Sequence, residues 1–225
     1  MIPAFPIIRS IALLWAAVVL MTAAAAAQAD GSKLKPPAGH NVAIVVFEDM
    51  QCPDCRRAAP LVEEVSKAQN VPVVHYDFPL PMHNWAFDAH VWQRYFRGQS
   101  KELGEKFRMY IFENQQQLSP QNLKEYVQRF ARDNNVRLPF VVDPQGKLAA
   151  DVKADYRLGQ QIKIEHTPTI FVVTNQNVGK PFVEVVDRSQ LFDLVGQMKR
   201  MAEAAAAANP QKKPAAKTTS KKPGA

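Results

Sequence analysis

Two cysteines are present in this chain, and they stand two residues apart in the motif Cys52-Pro53-Asp54-Cys55. Because there is no third cysteine, the pair can close on itself as a small disulfide ring or supply two ligands to a metal ion. It cannot tie distant segments of the chain together. Four residues separate the motif from an apolar run of strand length at residues 42–47. Either chemistry places the function of the chain at this motif.

The spacing of the cysteines suits thiol chemistry if a helix begins at the motif. With Cys52 at the N-cap and Cys55 one turn inside, unpaired backbone N–H groups and the positive end of the helix dipole favour the Cys52 thiolate. Cys52 would then be the nucleophile, and Cys55 would attack a mixed disulfide formed by Cys52 and release the partner. A Cys-x-x-Cys pair by itself leaves metal binding and an inert pair open.

The N-terminal residues 1–29 predict an export signal peptide. Arg9 precedes an apolar run at residues 11–21, which is followed by alanines and by a small-residue site where cleavage after Ala29 is expected. A retained membrane anchor is the alternative, because residues 11–27 are nearly long enough to span a bilayer. Both interpretations predict a periplasmic or otherwise extracytoplasmic protein. In an oxidising compartment a disulfide across so short a loop adds little stability, so exchange chemistry is the better reason for the pair.

The C-terminal residues 203–225 are rich in alanine, proline and lysine and predict a disordered tail. This tail accounts for much of the formal net charge of +7. A solvated tail is the simpler interpretation, and contact with anionic lipid, cell wall or nucleic acid is the alternative. The remainder of the chain is close to neutral, so no nucleic-acid partner is expected for it.

The hydrophobic pattern predicts a single α/β domain over residues 42–202, preceded by a linker at residues 30–41. Residues 42–47 form a central strand, and the helix that follows Cys55 contains Pro60, which should kink it. A second strand at residues 71–78 completes a strand-helix-strand unit, which implies parallel pairing.

Residues 84–163 predict an inserted helical region, because apolar and aromatic residues recur there at helical spacing. Trp85 and Trp92 are interpreted as core residues, with a ligand pocket as the alternative. A strand at Thr169–Thr174, a turn at residues 175–179 and an antiparallel strand at residues 182–186 follow. A final helix begins near Leu191, with Asp187 and Gln190 resembling a capping pair.

This order of elements resembles the exported DsbA-like thiol:disulfide oxidoreductases. The likeness is carried by residues 47–55, residues 77–80, His83, and a Thr167-Pro168 pair just before a strand. It covers about residues 42–202. The resemblance implies a thioredoxin-like fold with a central mixed sheet and an inserted α-helical subdomain.

The resemblance also implies roles for the matched residues. Cys52 would be the attacking thiol linked to substrate, and Cys55 the resolving thiol. Pro168 would be a cis-proline facing the pair, so that the backbone of Thr167 pairs with an extended substrate strand. No organic or metal cofactor is implied besides the redox-active disulfide. The expected partners are cysteine-containing exported proteins and a membrane redox partner that reoxidises or reduces the pair, and we expect a monomer.

The motif departs from the best-known oxidants of the family, which resemble Cys-Pro-His-Cys. Pro53 and Asp54 are the tuning positions between the cysteines. Because a carboxylate near Cys52 disfavours its thiolate, we expect a less acidic thiol and a less oxidising disulfide than in those members. Glu48 and Asp49 precede the motif and could add to the effect, but as exposed residues they would do little.

His166, two residues before Pro168, could stabilise the Cys52 thiolate or join a metal site. One alternative function is therefore a metal-binding module in which Cys52, Cys55 and His166 hold Zn or Cu(I). A second is a non-catalytic peptide-binding or chaperone protein with an inert disulfide. Isomerase activity is less expected, because isomerases of this fold resemble dimers with an extra N-terminal domain.

Overall fold

The computed structural model describes residues 29–175 and 181–208. The predicted signal or anchor lies outside these residues except for Ala29. So do the predicted turn beyond Asn175 and residues 209–225 of the predicted tail. Within the described ranges, no helix combines the length and apolar character needed to cross a membrane.

Four strands form one mixed sheet. They are β1 (Val42–Glu48), β2 (Val73–Asp77), β3 (Thr169–Thr174) and β4 (Phe182–Glu184), in the order β2-β1-β3-β4. β1 pairs in parallel with β2, while β3 is antiparallel to β1 and β4 is antiparallel to β3. All seven residues of β1 are buried, as expected for a central strand covered on both faces. The predicted strand-helix-strand unit and terminal hairpin are both present.

In the described part of the chain, six α-helices accompany the sheet. They are α1 (Pro53–Gln69), α2 (Ala86–Gln99), α3 (Lys101–Asn114), α4 (Leu123–Asp133), α5 (Lys147–Gln161) and α6 (Leu191–Ala208). Side chains of α1 and α6 share one apolar core with alternate residues of β1 and β3, such as Ile44 and Val172. The opposite face of the same strands packs with Ile162, at the end of α5, and with Phe78. Helices α2 to α5 lie between β2 and β3, which confirms the predicted helical insertion.

The helical insertion has a core of its own, built on aromatic rings. Phe96, Phe107 and Phe130 come from three different helices, and their ring centroids lie 4.7 to 5.1 Å apart. Trp85 is buried in the same cluster, and Trp92 packs against it. The aromatic spacing therefore reflects core packing, as the sequence indicated. This core gives the insertion a rigid surface to place beside the cysteine motif.

The folded domain extends beyond the predicted residues 42–202 at both ends. Residues 30–41 are not simply a linker, because Leu34 is buried on the sheet and a Cβ at Gly31 would lie 2.7 Å from the Phe182 ring. The apolar face of β3 and β4 needs this cover. At the other end, α6 continues to Ala208, beyond the predicted limit of 202, because its alanine run has a high helix propensity.

Candidate active site

The cysteine motif lies where β1 ends and α1 begins. Cys52 is the N-cap residue of α1, and Pro53 is its exposed first residue, a position where proline loses no helix hydrogen bond. The exposed fraction is 7% for Cys52 and 1% for Cys55, and both are free thiols in this structure. Ala59 of α1 and Phe112 of α3 pack around them. The helical insertion therefore covers the inner side of the redox pair.

Hydrogen bonds stabilise the thiolate of Cys52. A hydrogen bond from Cys55 is the strongest cause that lowers the Cys52 pKa, and partial burial opposes it. The Thr167 hydroxyl and the backbone N–H groups of Asp54 and Cys55 lower the pKa further, so that it falls from 9.0 to about 5. These N–H groups belong to the open first turn of α1. Cys52 is therefore ionised at neutral pH.

Cys55 has the opposite environment. Burial raises the pKa of the Cys55 thiol well above its ordinary value, and the hydrogen bond and charge of Cys52 raise it further. The Asp49 N–H, 3.4 Å from Cys55 Sγ, acts weakly in the other direction. The pair is thus asymmetric, with one ionised thiol near the surface and one protonated thiol beneath it. Such a pair can attack a disulfide with one sulfur and resolve the product with the other.

The Thr167–Pro168 peptide bond is cis and lies beside the cysteines. When Cys52 is protonated, its thiol donates a hydrogen bond to the carbonyl oxygen of Thr167, with sulfur and oxygen 3.3 Å apart. Among the described residues, the buried Thr167 hydroxyl has no other hydrogen-bond partner, so it can donate to the sulfur once Cys52 is ionised. The fold therefore brings residues 52 and 167 together from distant parts of the chain.

Asp54 forms two ion pairs that the motif itself does not indicate. Its carboxylate lies 2.9 Å from the guanidinium of Arg188 and 3.1 Å from that of Arg57. Two guanidinium groups therefore contact this carboxylate, and hydrogen bonds from Cys55, Thr167 and the backbone lower the pKa of Cys52 although the carboxylate stands inside the motif. Whether the thiol is less acidic than in Cys-Pro-His-Cys relatives stays a prediction.

His166 has an exposed side chain and lines a small cavity next to the motif. The cavity has a volume of about 160 Å³ and also contacts Asp54, Pro168 and Arg188. The hydrogen bonds that lower the Cys52 pKa come from Cys55, Thr167 and the backbone rather than from His166. The placement of His166 fits a wall of a substrate pocket better than a direct partner of the thiolate.

Glu48 belongs to a buried ion-pair network, which corrects the expectation that the acidic residues before the motif are exposed. Its exposed fraction is 3%, and its carboxylate accepts two hydrogen bonds from Arg108, at 2.5 and 2.7 Å. His75 Nδ1 lies 3.1 Å from the same carboxylate. Burial is the largest single influence on Glu48 and opposes ionisation, but Arg108 and His75 together hold the Glu48 pKa well below its usual range.

Asp49 is also buried, and it organises the loop that carries the motif. One carboxylate oxygen accepts the N–H of Gln51 at 2.6 Å, and the other accepts the N–H of Leu80 at 2.6 Å. His83 Nδ1 lies 2.8 Å from the second oxygen. Asp49 thereby connects the end of β1 to the loop that leads into the helical insertion.

Two glutamines complete the attachment of the motif loop to the insertion. The buried side-chain amide of Gln115 donates to the carbonyl oxygens of Met50 and Cys52, at 2.8 and 3.0 Å. The Gln51 side chain accepts the N–H of Trp85 at 3.0 Å. Backbone groups on both sides of Cys52 are therefore fixed by hydrogen bonds from the helical part of the fold.

The comparison with family models identifies the chain. Residues 38–184, more than half of the chain, match the model described as Thioredoxin. The chain belongs to the thioredoxin family. A comparison with curated proteins finds no match.

Solved structures place this thioredoxin-family chain near DsbA-type proteins. Wolbachia pipientis alpha-DsbA1 aligns over 77% of this chain and 92% of its own, with 14% identity and a TM-score of 0.60. Pseudomonas aeruginosa DsbA2 aligns over 73% and 92%, with 19% identity and a TM-score of 0.53. A thioredoxin-like oxidoreductase from Silicibacter pomeroyi aligns over 71% and 87%, with 24% identity and a TM-score of 0.55. The predicted thioredoxin-like fold with a helical insertion is confirmed.

The buried and tertiary partners of the thioredoxin-family site were missed by sequence reasoning. A signal existed for Glu48, because a charged residue that continues the apolar run of β1 must find a buried cation. No sequence signal identified Arg108, His75 or Arg188 as partners. Each reaches the site from a separate element, so only the packing of those elements brings them there.

A second buried charge cluster joins the sheet to the helical insertion. Asp77, at the end of β2, lies 2.8 Å from His90 Nδ1 and 2.5 Å from Arg94 Nε. Arg94 also contacts Asp155 of α5 at 2.5 Å. Burial, with the charge of Asp77, raises the pKa of Asp155 to about 6. His90 thus has a structural role.

The low pKa of Cys52 predicts a pH-dependent difference between the reduced and oxidised proteins. Because the folded-state pKa is depressed from 9.0 to about 5, thiolate stabilisation is lost as pH falls through about 5. It grows as pH rises above this value, and the disulfide form has no such group. We therefore expect the stability of the reduced form, relative to the oxidised form, to increase between pH 5 and 8. Urea unfolding of both forms measures this, and an unchanged difference would contradict the low pKa.

Proposed function

We propose that this thioredoxin-family protein is an exported thiol:disulfide oxidoreductase that exchanges disulfides with protein substrates through Cys52 and Cys55. The observation that carries the proposal is the asymmetry of the pair. Cys52 is near the surface with a pKa of about 5, and Cys55 is buried with a raised pKa. The DsbA-type fold supports the same class of activity. The low pKa favours the reduced form, and therefore the donation of a disulfide to substrates.

The proposed exchange proceeds in two balanced steps. A substrate thiolate attacks Cys52 Sγ of the oxidised pair, so that a substrate–Cys52 disulfide forms and Cys55 leaves as a thiolate that takes up a proton. A second substrate thiolate then attacks the substrate sulfur, and Cys52 leaves as the stabilised thiolate. The substrate gains a disulfide, and the protein is left as a dithiol that has accepted two electrons.

Cys52 in this scheme is the leaving group of the second step. Leaving ability improves as the thiol pKa falls, so the hydrogen bonds from Cys55 and Thr167 accelerate release of the oxidised substrate. Cys55 acts in the reverse direction when a mixed disulfide must be resolved without a second substrate thiol. Its position under Cys52, covered by Phe112, protects it from outside thiols.

Substrate recognition is proposed to use the backbone of Thr167 and the cavity beside it. An extended segment that pairs with this backbone binds through main-chain hydrogen bonds, which gives affinity without a strict sequence requirement. The cavity of about 160 Å³ between Asp54, His166 and Pro168 then receives a side chain adjacent to the substrate cysteine. Exported proteins with pairs of cysteines are the proposed substrates.

Turnover requires a second partner, because each cycle leaves the protein reduced. We propose that a membrane redox partner removes the two electrons and restores the disulfide. Export follows from the predicted signal or anchor at residues 1–29, which lies outside the described residues apart from Ala29.

The metal-binding alternative gains no support from the cysteines. In residues 29–175 and 181–208, the one group of three potential ligands within reach of each other is Glu63, His75 and Glu105. This group includes neither cysteine, and the Arg108 guanidinium lies 3.5 Å from Glu63. A cation of the protein already balances these carboxylates, so no specific observation favours a metal function.

The reduction potential of the Cys52–Cys55 pair tests the proposed function. The purified protein is equilibrated in graded mixtures of reduced and oxidised glutathione, quenched with acid, and alkylated so that the mass reports the redox state. We expect complete exchange and a pair that is more oxidising than glutathione. A pair more reducing than glutathione would reverse the direction of the proposal, and a pair that does not exchange would favour the peptide-binding alternative.

A further inference from the structure

We propose that Arg188 is a positioning residue for the redox pair, which fixes and neutralises the Asp54 carboxylate so that the charge inside the motif does not oppose the Cys52 thiolate. This inference rests on the proposed function. It assigns a role to a residue more than a hundred positions away along the chain, and no element of the cysteine motif itself predicts that role.

The contact between Arg188 and Asp54 involves both side chain and backbone. Arg188 donates from Nη2 to Asp54 Oδ1 at 2.9 Å, and its Nη1 lies 3.5 Å from the Asp54 carbonyl oxygen. Arg57, one turn further along α1, donates to the same carboxylate oxygen from Nη2 at 3.1 Å and Nε at 3.3 Å. The carboxylate is therefore held between two guanidinium groups.

The charges of this group add to a net positive value beside Cys52. Two guanidinium groups and one carboxylate give a net charge of one positive unit. The other titratable groups that share the cavity with Asp54 are His166 and Glu184. Without the two arginines, Asp54 would leave a negative charge two residues from the thiolate, which disfavours ionisation of a neighbouring thiol.

Of the two arginines, Arg188 is better placed to act. The Arg57 side chain is 63% exposed, whereas the Arg188 side chain is 36% exposed, so water screens the Arg188 contact less.

The backbone of Arg188 is fixed by the elements around it. It begins a 3₁₀ turn, Arg188–Gln190, whose cap residue Asp187 accepts the Ser189 N–H at 2.9 Å. The next residue, Leu191, is fully buried in the core shared with α1. Because the backbone of this turn is already ordered, the Arg188 guanidinium loses less conformational entropy on binding Asp54 than it would from a flexible segment. The C-terminal part of the fold thereby tunes the N-terminal motif.

The test measures the Cys52 pKa in five variants of the full protein. Arg188→Gln removes the charge, Arg188→Lys keeps it, Arg57→Gln is the matched control, and Asp54→Asn/Arg188→Gln is compared with Asp54→Asn alone. The ultraviolet absorbance of the thiolate is followed against pH, together with the rate of alkylation by iodoacetamide. Circular dichroism verifies that each variant is folded. Arg188→Lys tests whether a positive charge at this position is sufficient.

We expect Arg188→Gln to raise the Cys52 pKa by about half a unit, a roughly threefold loss of thiolate below the pKa. Arg188→Lys should keep the Cys52 pKa close to the wild-type value, because it keeps the positive charge. Arg57→Gln should raise the Cys52 pKa by less than Arg188→Gln does. The effect of Arg188→Gln should largely vanish when Asp54 is asparagine, because no carboxylate then remains to be neutralised. A mere loss of stability would leave the pKa of the folded protein in place.

An unchanged Cys52 pKa in Arg188→Gln would overturn the inference. So would a rise in the Cys52 pKa that Arg188→Gln causes equally in the wild-type and Asp54→Asn backgrounds. Exchange of the wild-type pair with glutathione is recorded in parallel. If the wild type exchanges its disulfide with glutathione and the Cys52 pKa of Arg188→Gln equals the wild-type value, the inference fails and the proposed function stands. If the wild type does not exchange, the proposed function fails, and the pKa comparison still decides the role of Arg188.

Discussion

Cys52→Ser is expected to abolish disulfide exchange, with a loss of about a thousandfold or more in the rate of reaction with oxidised glutathione. A serine hydroxyl stays protonated near neutral pH and is a poor nucleophile toward a disulfide sulfur. The remaining thiol, Cys55, cannot substitute for it. Cys55 is only 1% exposed, and its burial raises the pKa of the thiol so that it stays protonated. Stopped-flow mixing followed by mass analysis measures the rate.

The matched variant Cys55→Ser should behave differently. Cys52 keeps most of the environment that lowers its pKa, although the loss of the hydrogen bond from Cys55 raises that pKa in part. The first attack therefore still occurs, but the mixed disulfide with glutathione or a substrate protein accumulates because nothing resolves it. Equal rates of adduct formation by Cys52→Ser and Cys55→Ser would refute the assignment of Cys52 as the attacking thiol.

Arg108→Met is expected to destabilise the protein by about 3 to 5 kcal/mol at pH 7, because it leaves the buried Glu48 carboxylate without its main partner. Arg108 is 1% exposed and makes both hydrogen bonds to Glu48. Its guanidinium also lies 3.5 Å from Glu63 and 4.0 Å from Glu105. Urea unfolding of the variant and the wild type gives the difference in free energy.

The pH dependence of Arg108→Met tests the electrostatic reason for its instability. In the wild type, Arg108 and His75 hold the Glu48 pKa below that of the unfolded chain, so their stabilisation is lost as pH falls. In Arg108→Met burial prevails and raises the Glu48 pKa, so the loss should be larger at pH 7 than at pH 5. The double variant Glu48→Gln/Arg108→Met should recover part of the stability, because no buried charge remains unpaired.

Arg132→Met is a control for the loss of an arginine at an exposed position, since Arg132 lies on the surface of α4. It should change the unfolding free energy by less than about 0.5 kcal/mol. If Arg108→Met were no more destabilising than Arg132→Met, the ion pair with Glu48 would contribute little to the fold.

Much of the fold was predictable because its signals are local. The seven apolar or buried residues of β1 and the turn into α1 lie next to each other in sequence. The antiparallel pair β3 and β4 likewise follows from two strand-length runs, rich in β-branched and aromatic residues, that lie close together in sequence. The helical spacing of aromatic residues predicted the helical insertion. Phe96, Phe107 and Phe130 have this spacing because they pack together in its core.

The errors arose where long-range contacts decide the outcome. Nothing in the motif indicates a cation beside Asp54, and Arg188 reaches it from the turn before α6. Glu48 was treated as exposed because its neighbours in sequence give no hint of Arg108, sixty residues away. The segment before β1 was taken for a linker, although Leu34 covers one face of the sheet.

The sequence by itself determined the redox pair, the helix start that activates Cys52, and the order of strands and helices. These features depend on hydrogen bonds and side-chain spacing within one or two turns of chain. Only the tertiary structure decided how acidic Cys52 becomes and how Asp54 and Glu48 are compensated. The hydrogen bond from Thr167 to Cys52, and the ion pairs of Arg108 with Glu48 and of Arg188 with Asp54, join residues that come together only when the chain has folded.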